Sequence, residues 1–249
     1  MHPVLIKLGP VTLYTYGLFI FLAFLLPYLL ARKEAPQWGI SEEFLSNLWL
    51  VILLGGVIGG KMLFILLHLP TVLSHIHEIN YWRGGFAYFG GFFFAYFLGA
   101  WYIRKKGYSL PQVSYFLTPY IPLGQALGRI GCFFNGCCYG KPTSLPWGMV
   151  FQLNSPAGHH YGLSPLHPTQ LYASLFHFCF FLFLKNMRDK RKHKWRLLPF
   201  YLLIYLFFRG FLDFLRGDAI KIIGELTILQ AFIPFLLSIT FIWWIRWKE

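Results

Sequence analysis

The sequence predicts an all-α integral membrane protein of about seven transmembrane helices with a glycine-rich loop on its outer face. Three observations predict it. Of 249 residues, 57% are hydrophobic and 12% charged, against about 25% charged in a soluble domain. So little charge cannot cover a water-soluble surface. The apolar residues also come in runs of about twenty, the length that crosses ~30 Å of hydrocarbon at ~1.5 Å per residue. Finally, the cations gather at alternate ends of those runs. With no internal repeat or low-complexity segment, residues 1–249 are expected to form a single polytopic domain.

The first span is read near 10–31 and contains Tyr16. It is too long for a signal peptide and lacks the basic head and small-residue cleavage site of one, so no cleavable leader is expected. The second, near 45–69, contains GGVIGGKML, whose small residues let helices approach closely. A third follows near 84–103. The fourth, near 112–128, is short and contains Pro119 and Pro122, so a kinked or partly re-entrant segment is expected there. From 129 to 167 the chain is too polar and too rich in Gly and Pro to span, and reads as an outer-face loop or head segment. A loop of that length in a compact fold is usually functional or disordered. The remaining spans are read near 168–185, 197–215 and 226–247.

The net charge of +13 is a topology signal rather than the footprint of a nucleic-acid binder. Arg32 and Lys33, Arg104 to Lys106, the run from Lys185 to Arg196, and Arg246 with Lys248 all fall on one side of seven spans. The other side has only scattered cations: Lys7, Arg83, Arg129, Lys141, Arg216 and Lys221. The positive-inside rule then places the N-terminus outside and the C-terminus in the cytoplasm. The run KNMRDKRKHKWR is expected to be a topogenic loop facing anionic lipid headgroups.

Ionisable side chains inside spans cost ~3 kcal/mol or more at mid-membrane and normally face a protein interior or a polar cavity. Arg209 and Asp213, four apart in FFRGFLDFLR, share a helix face that Arg216 extends. Spacing alone leaves a structural ion pair and a functional site both open. Arg129 opens RIGCFFNGCCYGK, where Gly128, Gly131, Gly136 and Gly140 permit tight turns and close approach. A guanidinium matches phosphate oxygens, so this stretch reads as an anionic lipid headgroup site or, more plainly, a snorkelling arginine. Lys61 is a second intramembrane cation, placed to snorkel or to pair with Asp213. Tyr16, Tyr88, Tyr172 and Tyr205 offer hydroxyls to headgroup or ester oxygens, or serve as interfacial anchors.

Cys132, Cys137 and Cys138 crowd the same loop, while Cys179 sits in an apolar run and packs. A disulfide from Cys132 to Cys137 or Cys138 and a reactive thiol beside Arg129 are both open readings. C-x4-C-C is not a standard zinc spacing, so neither metal nor cofactor is expected.

At this point the residues resemble the prolipoprotein diacylglyceryl transferases along nearly the whole chain. The N-terminal HPVLIKLGPVTLYTYGL is similar to the family's opening segment, and GGVIGGKML to its G-G-R segment with Lys61 where arginine is usual. RGGFAYFGG resembles its histidine-glycine-glycine segment, PLGQALGRIGCFFNG its signature, and LHPTQLY a further motif. YLFFRGFLDFLR resembles the late Y-x-x-x-R-x-x-x-E helix, with Asp213 for glutamate.

The resemblance implies a seven-helix enzyme of the bacterial inner membrane that moves the diacylglyceryl group of phosphatidylglycerol to a prolipoprotein cysteine and releases glycerol phosphate. Arg129, Arg209, Asp213, Cys132 and Cys137 are then the catalytic candidates. Tyr16, Asn135, Gly140, Tyr205, Arg216 and His167 are the substrate-binding ones. The implied partners are phosphatidylglycerol or a related anionic phospholipid, a lipoprotein precursor and the bilayer. Three positions depart from the pattern: Phe89 stands for the family's histidine, Cys132 for asparagine and Cys137 for glutamate. They leave open transfer to another acceptor through the chain's own cysteines, or a non-catalytic lipid-binding relative.

Overall fold

The computed structural model describes residues 4–9, 11–69, 85, 87–190, 196–219, 221–223 and 226–246. In chain order the elements are a hairpin β1 (Val4–Leu8) and β2 (Val11–Tyr14), then α1 (Thr15–Glu34), α2 (Glu42–Leu67), α3 (Tyr88–Lys105), α4 (Leu110–Leu117) and α5 (Tyr120–Asn135). There follow α6 (Pro156–Tyr161), α7 (Thr169–Asp189), α8 (Leu197–Leu215), a second hairpin β3 (Lys221–Ile223) and β4 (Leu226–Thr227), and α9 (Ile228–Arg246). The chain divides into two compact units, Ala31–Val113 and the remainder. The segment Thr15–Trp38 and helices α2 and α8 are each long and apolar enough to cross a membrane. The protein is a predominantly helical membrane protein.

In the unit Ala31–Val113, α2 starts at Ser41, whose hydroxyl accepts from Phe44 N at 3.1 Å. Glu42 and Glu43 add negative charge to the first turn, which complements the helix dipole. The GGVIGG stretch of α2 meets glycines of α3. A Cβ on Gly91 would sit 2.7 Å from Gly56 O, and one on Gly55 3.2 Å from Ala95 Cα. Backbone therefore lies against backbone, the small-residue packing expected between helices in lipid. Lys61 lies over the Phe64 ring at 5.2 Å. Phe89 is 63% exposed on α3, and the side chains of Arg83 and Tyr88 lie outside the described residues.

The other unit departs from the sequence reading in three places. First, Val11–Tyr14 is not the start of a helix. It pairs antiparallel with β1, because Gly9 takes φ +56° and turns the chain back, and β-branched Val11 and Thr12 suit a strand. Second, the segment read as a fourth span is broken into two helices at Pro119, as its prolines predicted, but runs further than the sequence reading had it. The second of them, α5, continues to Asn135. Arg129, Cys132 and Asn135 were expected in the loop 129–167 and instead occupy the last turns of α5. Their glycine neighbours serve helix packing: a Cβ on Gly131 would meet Phe19 Cβ at 3.0 Å, and one on Gly124 would meet Ala23 O at 2.9 Å.

Third, the basic run is not simply a lipid-facing loop. Helix α7 continues through Asp189, and Arg188 is 0% exposed. Its guanidinium donates to Phe116 O at 3.1 Å, Tyr120 Oη at 3.2 Å and Asp189 Oδ1 at 2.8 Å. It also lies over the Phe116 and Tyr120 rings, at 5.4 and 5.2 Å. Residues 191–195 of the run lie outside the described residues. The apolar face of α7 packs on α5, where Ser174 Oγ donates to Ala126 O at 2.9 Å.

Candidate functional site

The site is built where α5 stops. Gly136 takes φ +70°, a left-handed residue that ends the helix, and Cys137 N donates back to Cys132 O at 3.2 Å. The turn folds Cys137 and Cys138 over Cys132, so the three sulfurs lie within 4.8 Å of one another. Cys138 has φ +59°, the one non-glycine residue with positive φ among those described. Such a conformation costs ~1–2 kcal/mol and persists only when neighbours hold it. Buried Thr169 and Gln170, at the start of α7, do so. Thr169 Oγ1 donates to Cys138 O at 2.7 Å and Gln170 Nε2 to Cys137 O at 2.8 Å. All three cysteines are free thiols, so the disulfide reading is not realised here. Hydrogen bonds from Cys132 and Cys137, helped by the charges of Arg129 and Arg216, hold the Cys138 thiol below the usual thiol range against the effect of burial. Asn135 reaches the Cys137 sulfur from the last turn of α5.

The following strand of loop is stitched between α7 and α8. Gly140 N donates to His167 O at 3.0 Å, His167 N to Lys141 O at 3.0 Å, Lys141 N to Leu215 O at 2.8 Å and Gly217 N to Tyr139 O at 3.0 Å. A Cβ on Gly140 would lie 3.0 Å from Leu215 O and closer still to His167, so backbone packing alone explains this glycine. His167 Nδ1 lies 3.3 Å from Tyr172 Oη, which accepts from Trp147 Nε1 at 2.8 Å.

Helix α8 brings the charges. Arg209 pairs with Asp213 one turn on, as the spacing predicted. Arg216 Nη1 lies 3.8 Å from the same carboxylate and forms a bidentate pair with Asp218, both contacts at 2.8 Å. The second carboxylate oxygen of Asp213 accepts from Thr227 Oγ1 at 2.9 Å. Thr227 in turn caps α9: its hydroxyl accepts from Gln230 N at 3.2 Å while Gln230 Oε1 accepts from Thr227 N at 3.0 Å. This reciprocal capping box anchors one helix to the buried carboxylate of another. Arg129 lies within electrostatic reach of Arg209 and of the Cys138 sulfur, and Tyr16 on α1 within reach of Arg129 and the three thiols. Arg129 has no hydrogen-bond or ion-pair partner among the described residues.

A family profile for prolipoprotein diacylglyceryl transferase matches residues 3–246. The chain belongs to that family. Among its relatives are phosphatidylglycerol–prolipoprotein diacylglyceryl transferases of Clostridium tetani, 34% identical over 88% of this chain and 86% of the relative, and of Clostridium perfringens, 32% identical over 95% and 92%. One from Nitratidesulfovibrio vulgaris is 35% identical over 89% and 84%.

Within this diacylglyceryl transferase fold, sequence reasoning missed five residues that shape the site, Thr169 beneath the Cys138 turn among them. Thr227 and Gln230 had a readable signal, the T-x-x-Q spacing of a capping box. Gln170 stood inside the motif LHPTQLY with no role read for it, and His177 had no signal. They lie on the face of α7 that also carries Ser174, at 0% and 2% exposure, and Gln170 Oε1 and His177 Nδ1 have no partner among the described residues. The His177 ring stacks 5.8 Å from that of Tyr205, and Arg129 acts on it electrostatically. Unpartnered buried polar atoms are rare and call for a ligand or water.

Proposed function

We propose that this chain moves the diacylglyceryl group of phosphatidylglycerol to the thiol of a prolipoprotein cysteine, releasing glycerol phosphate. The observation that carries the reading is Arg129, a half-buried guanidinium without a partner among the described residues, in reach of Arg209. Three guanidiniums, Arg129, Arg209 and Arg216, face two carboxylates, Asp213 and Asp218. Among these arginine and aspartate side chains the surplus is one positive charge.

That surplus matches the chemistry. A phosphodiester substrate bears one negative charge and a phosphomonoester leaving group two, so a cationic site stabilises the departing phosphate more than the bound lipid. Interactions that strengthen along the reaction are the ones that lower its barrier. Arg129 and Arg209 hold the phosphate. Asp213 and Tyr205 orient Arg209, Tyr16 and Asn135 orient the lipid, and Gly140, His167 and Arg216 shape the approach. Cys132 and Cys137 stand on the acceptor side. The chain works as one polytopic body of seven spans in the bacterial inner membrane, N-terminus outside and C-terminus in the cytoplasm. The bias of Arg and Lys toward one side supports this orientation.

The test is transfer by purified protein in phosphatidylglycerol vesicles to a peptide carrying a lipoprotein-precursor cysteine, followed by the mass of the peptide and the release of glycerol phosphate. Arg129→Lys and Arg209→Lys each lower turnover at unchanged abundance, because a point charge cannot replace a bidentate fork. Full activity of both arginine-to-alanine variants would overturn the assignment.

A further inference from the structure

The proposed reaction alkylates a thiol, and a thiol attacks carbon only as thiolate. The imidazole that the family pattern offers for this step is replaced here by Phe89. What the fold offers instead is three thiols brought together by one turn. Sulfurs held ~2.3 Å from a tetrahedral zinc lie ~3.8 Å apart. Those of Cys132, Cys137 and Cys138 already lie within 4.8 Å of one another.

The backbone is committed to this arrangement. Gly136 and Cys138 both take left-handed conformations, and Thr169 and Gln170 tie down the carbonyls of Cys138 and Cys137. A disulfide would need only two of the sulfurs and explains neither the third nor the strained turn.

We propose that Cys132, Cys137 and Cys138 bind one zinc ion as a three-thiolate site, whose fourth position takes the acceptor cysteine. This rests on the transferase reading above. The metal class follows from the donors. Thiolates select zinc, copper(I) or iron–sulfur clusters; a cluster usually takes four cysteines, and three thiolates already complete a trigonal copper(I) site. Zinc with three protein ligands keeps a position open, the pattern of catalytic zinc. Three thiolates and Zn²⁺ sum to one negative charge, beside Arg129 and Arg216.

The step balances without an oxidant or reductant. The acceptor thiol binds zinc as thiolate, and its proton passes to solvent. A sulfur lone pair forms the S–C bond to the glycerol carbon of the lipid, while the C–O bond to phosphate breaks and its electron pair leaves on oxygen. Thiolate and phosphodiester bring one negative charge each, and the glycerol phosphate departs with two against Arg129 and Arg209. Zinc remains divalent throughout.

The experiment uses the full chain in detergent, with zinc measured by elemental mass spectrometry and Co²⁺ exchanged in as a spectroscopic probe. The expected result is one zinc per chain, lost in Cys132→Ser, Cys137→Ser and Cys138→Ser but kept in Cys179→Ser. The cobalt form shows thiolate charge-transfer bands, and its d–d bands shift with a cysteine acceptor peptide but not with the serine peptide. Arg129→Lys keeps metal and band shift while losing lipid turnover. Wild-type protein stripped by chelator tests the role of the metal without any substitution, and its transfer falls at least tenfold and returns with Zn²⁺. Full transfer by the stripped protein, or no metal bound by intact protein, overturns the zinc site and leaves the transferase reading standing. Metal binding and the peptide-dependent band shift with no transfer from phosphatidylglycerol overturns the transferase reading instead.

Discussion

Replacing Asp213 by asparagine separates the two things this carboxylate does. It is 3% exposed and uses both oxygens, one on Arg209 and one on Thr227 Oγ1 at 2.9 Å. Asparagine has the same shape, so its carbonyl still accepts from Arg209 and its amide donates to the Thr227 hydroxyl. The change is therefore electrical rather than steric. Arg209 keeps its charge, so its bond to the asparagine carbonyl stays in the about 1.5–3 kcal/mol range of charge-assisted hydrogen bonds; without the carboxylate's charge it moves from the top of that range toward the bottom, and Arg209 loses roughly 1–1.5 kcal/mol of restraint. At the same time the local surplus rises from one positive charge to two, which favours binding of the anionic lipid. The expected outcome in mixed micelles is a kcat about 10-fold lower, since ~1.4 kcal/mol is a factor of ten, with KM for phosphatidylglycerol unchanged or lower. Asp213→Glu, which keeps the charge, stays within a few-fold of wild type. A raised KM with kcat intact would refute the reasoning, because Asp213 would then serve ground-state binding and not the orientation of Arg209.

Gly91→Ala puts a methyl 2.7 Å from Gly56 O and lowers the detergent melting temperature by the equivalent of about 1–3 kcal/mol; an unchanged melt would mean that α2 and α3 do not pack through these glycines. Arg188→Ala leaves the acceptors Phe116 O and Tyr120 Oη without their donor and opens a cavity, at a cost of about 2–5 kcal/mol, whereas Lys190→Ala, exposed in the same run, stays within about 0.5 kcal/mol. Equal melts for the two would return the run to a purely topogenic role. Cys138→Gly relieves the left-handed strain and raises the melting point of metal-free protein by the equivalent of ~1 kcal/mol; a lower melt would show that the thiol itself stabilises the turn.

What the sequence disclosed follows how locally each feature is determined. Arg209 and Asp213 were legible as a pair because four residues on a helix fix their distance, whatever surrounds them. Arg129 was singled out for its guanidinium among glycines but placed in the loop, whereas it lies in the last turns of α5. Arg188 was misread because a charge in a basic run looks like its neighbours, and only the packing of Phe116 and Tyr120 on it shows otherwise. The extension of α5 was hidden by glycines, which serve turns and close helix contacts alike. Gly131 does the second against Phe19, and Gly136 the first.

The cysteines show the same limit most sharply. Read as C-x4-C-C, their spacing argued against a metal, because standard zinc spacings assume that two ligands of a pair leave the backbone on one side of an ordinary turn. Here Cys132 points from the last full turn of a helix, Gly136 reverses the chain, and Cys138 turns it left-handed a second time. Two left-handed residues within three positions bring three sulfurs within 4.8 Å of one another, at a spacing that by itself suggests no such thing. Spacing measures distance along the chain, whereas ligand geometry measures distance across it. The two agree only where the backbone between the residues is regular, and a turn held in strain by Thr169 and Gln170 is where they part.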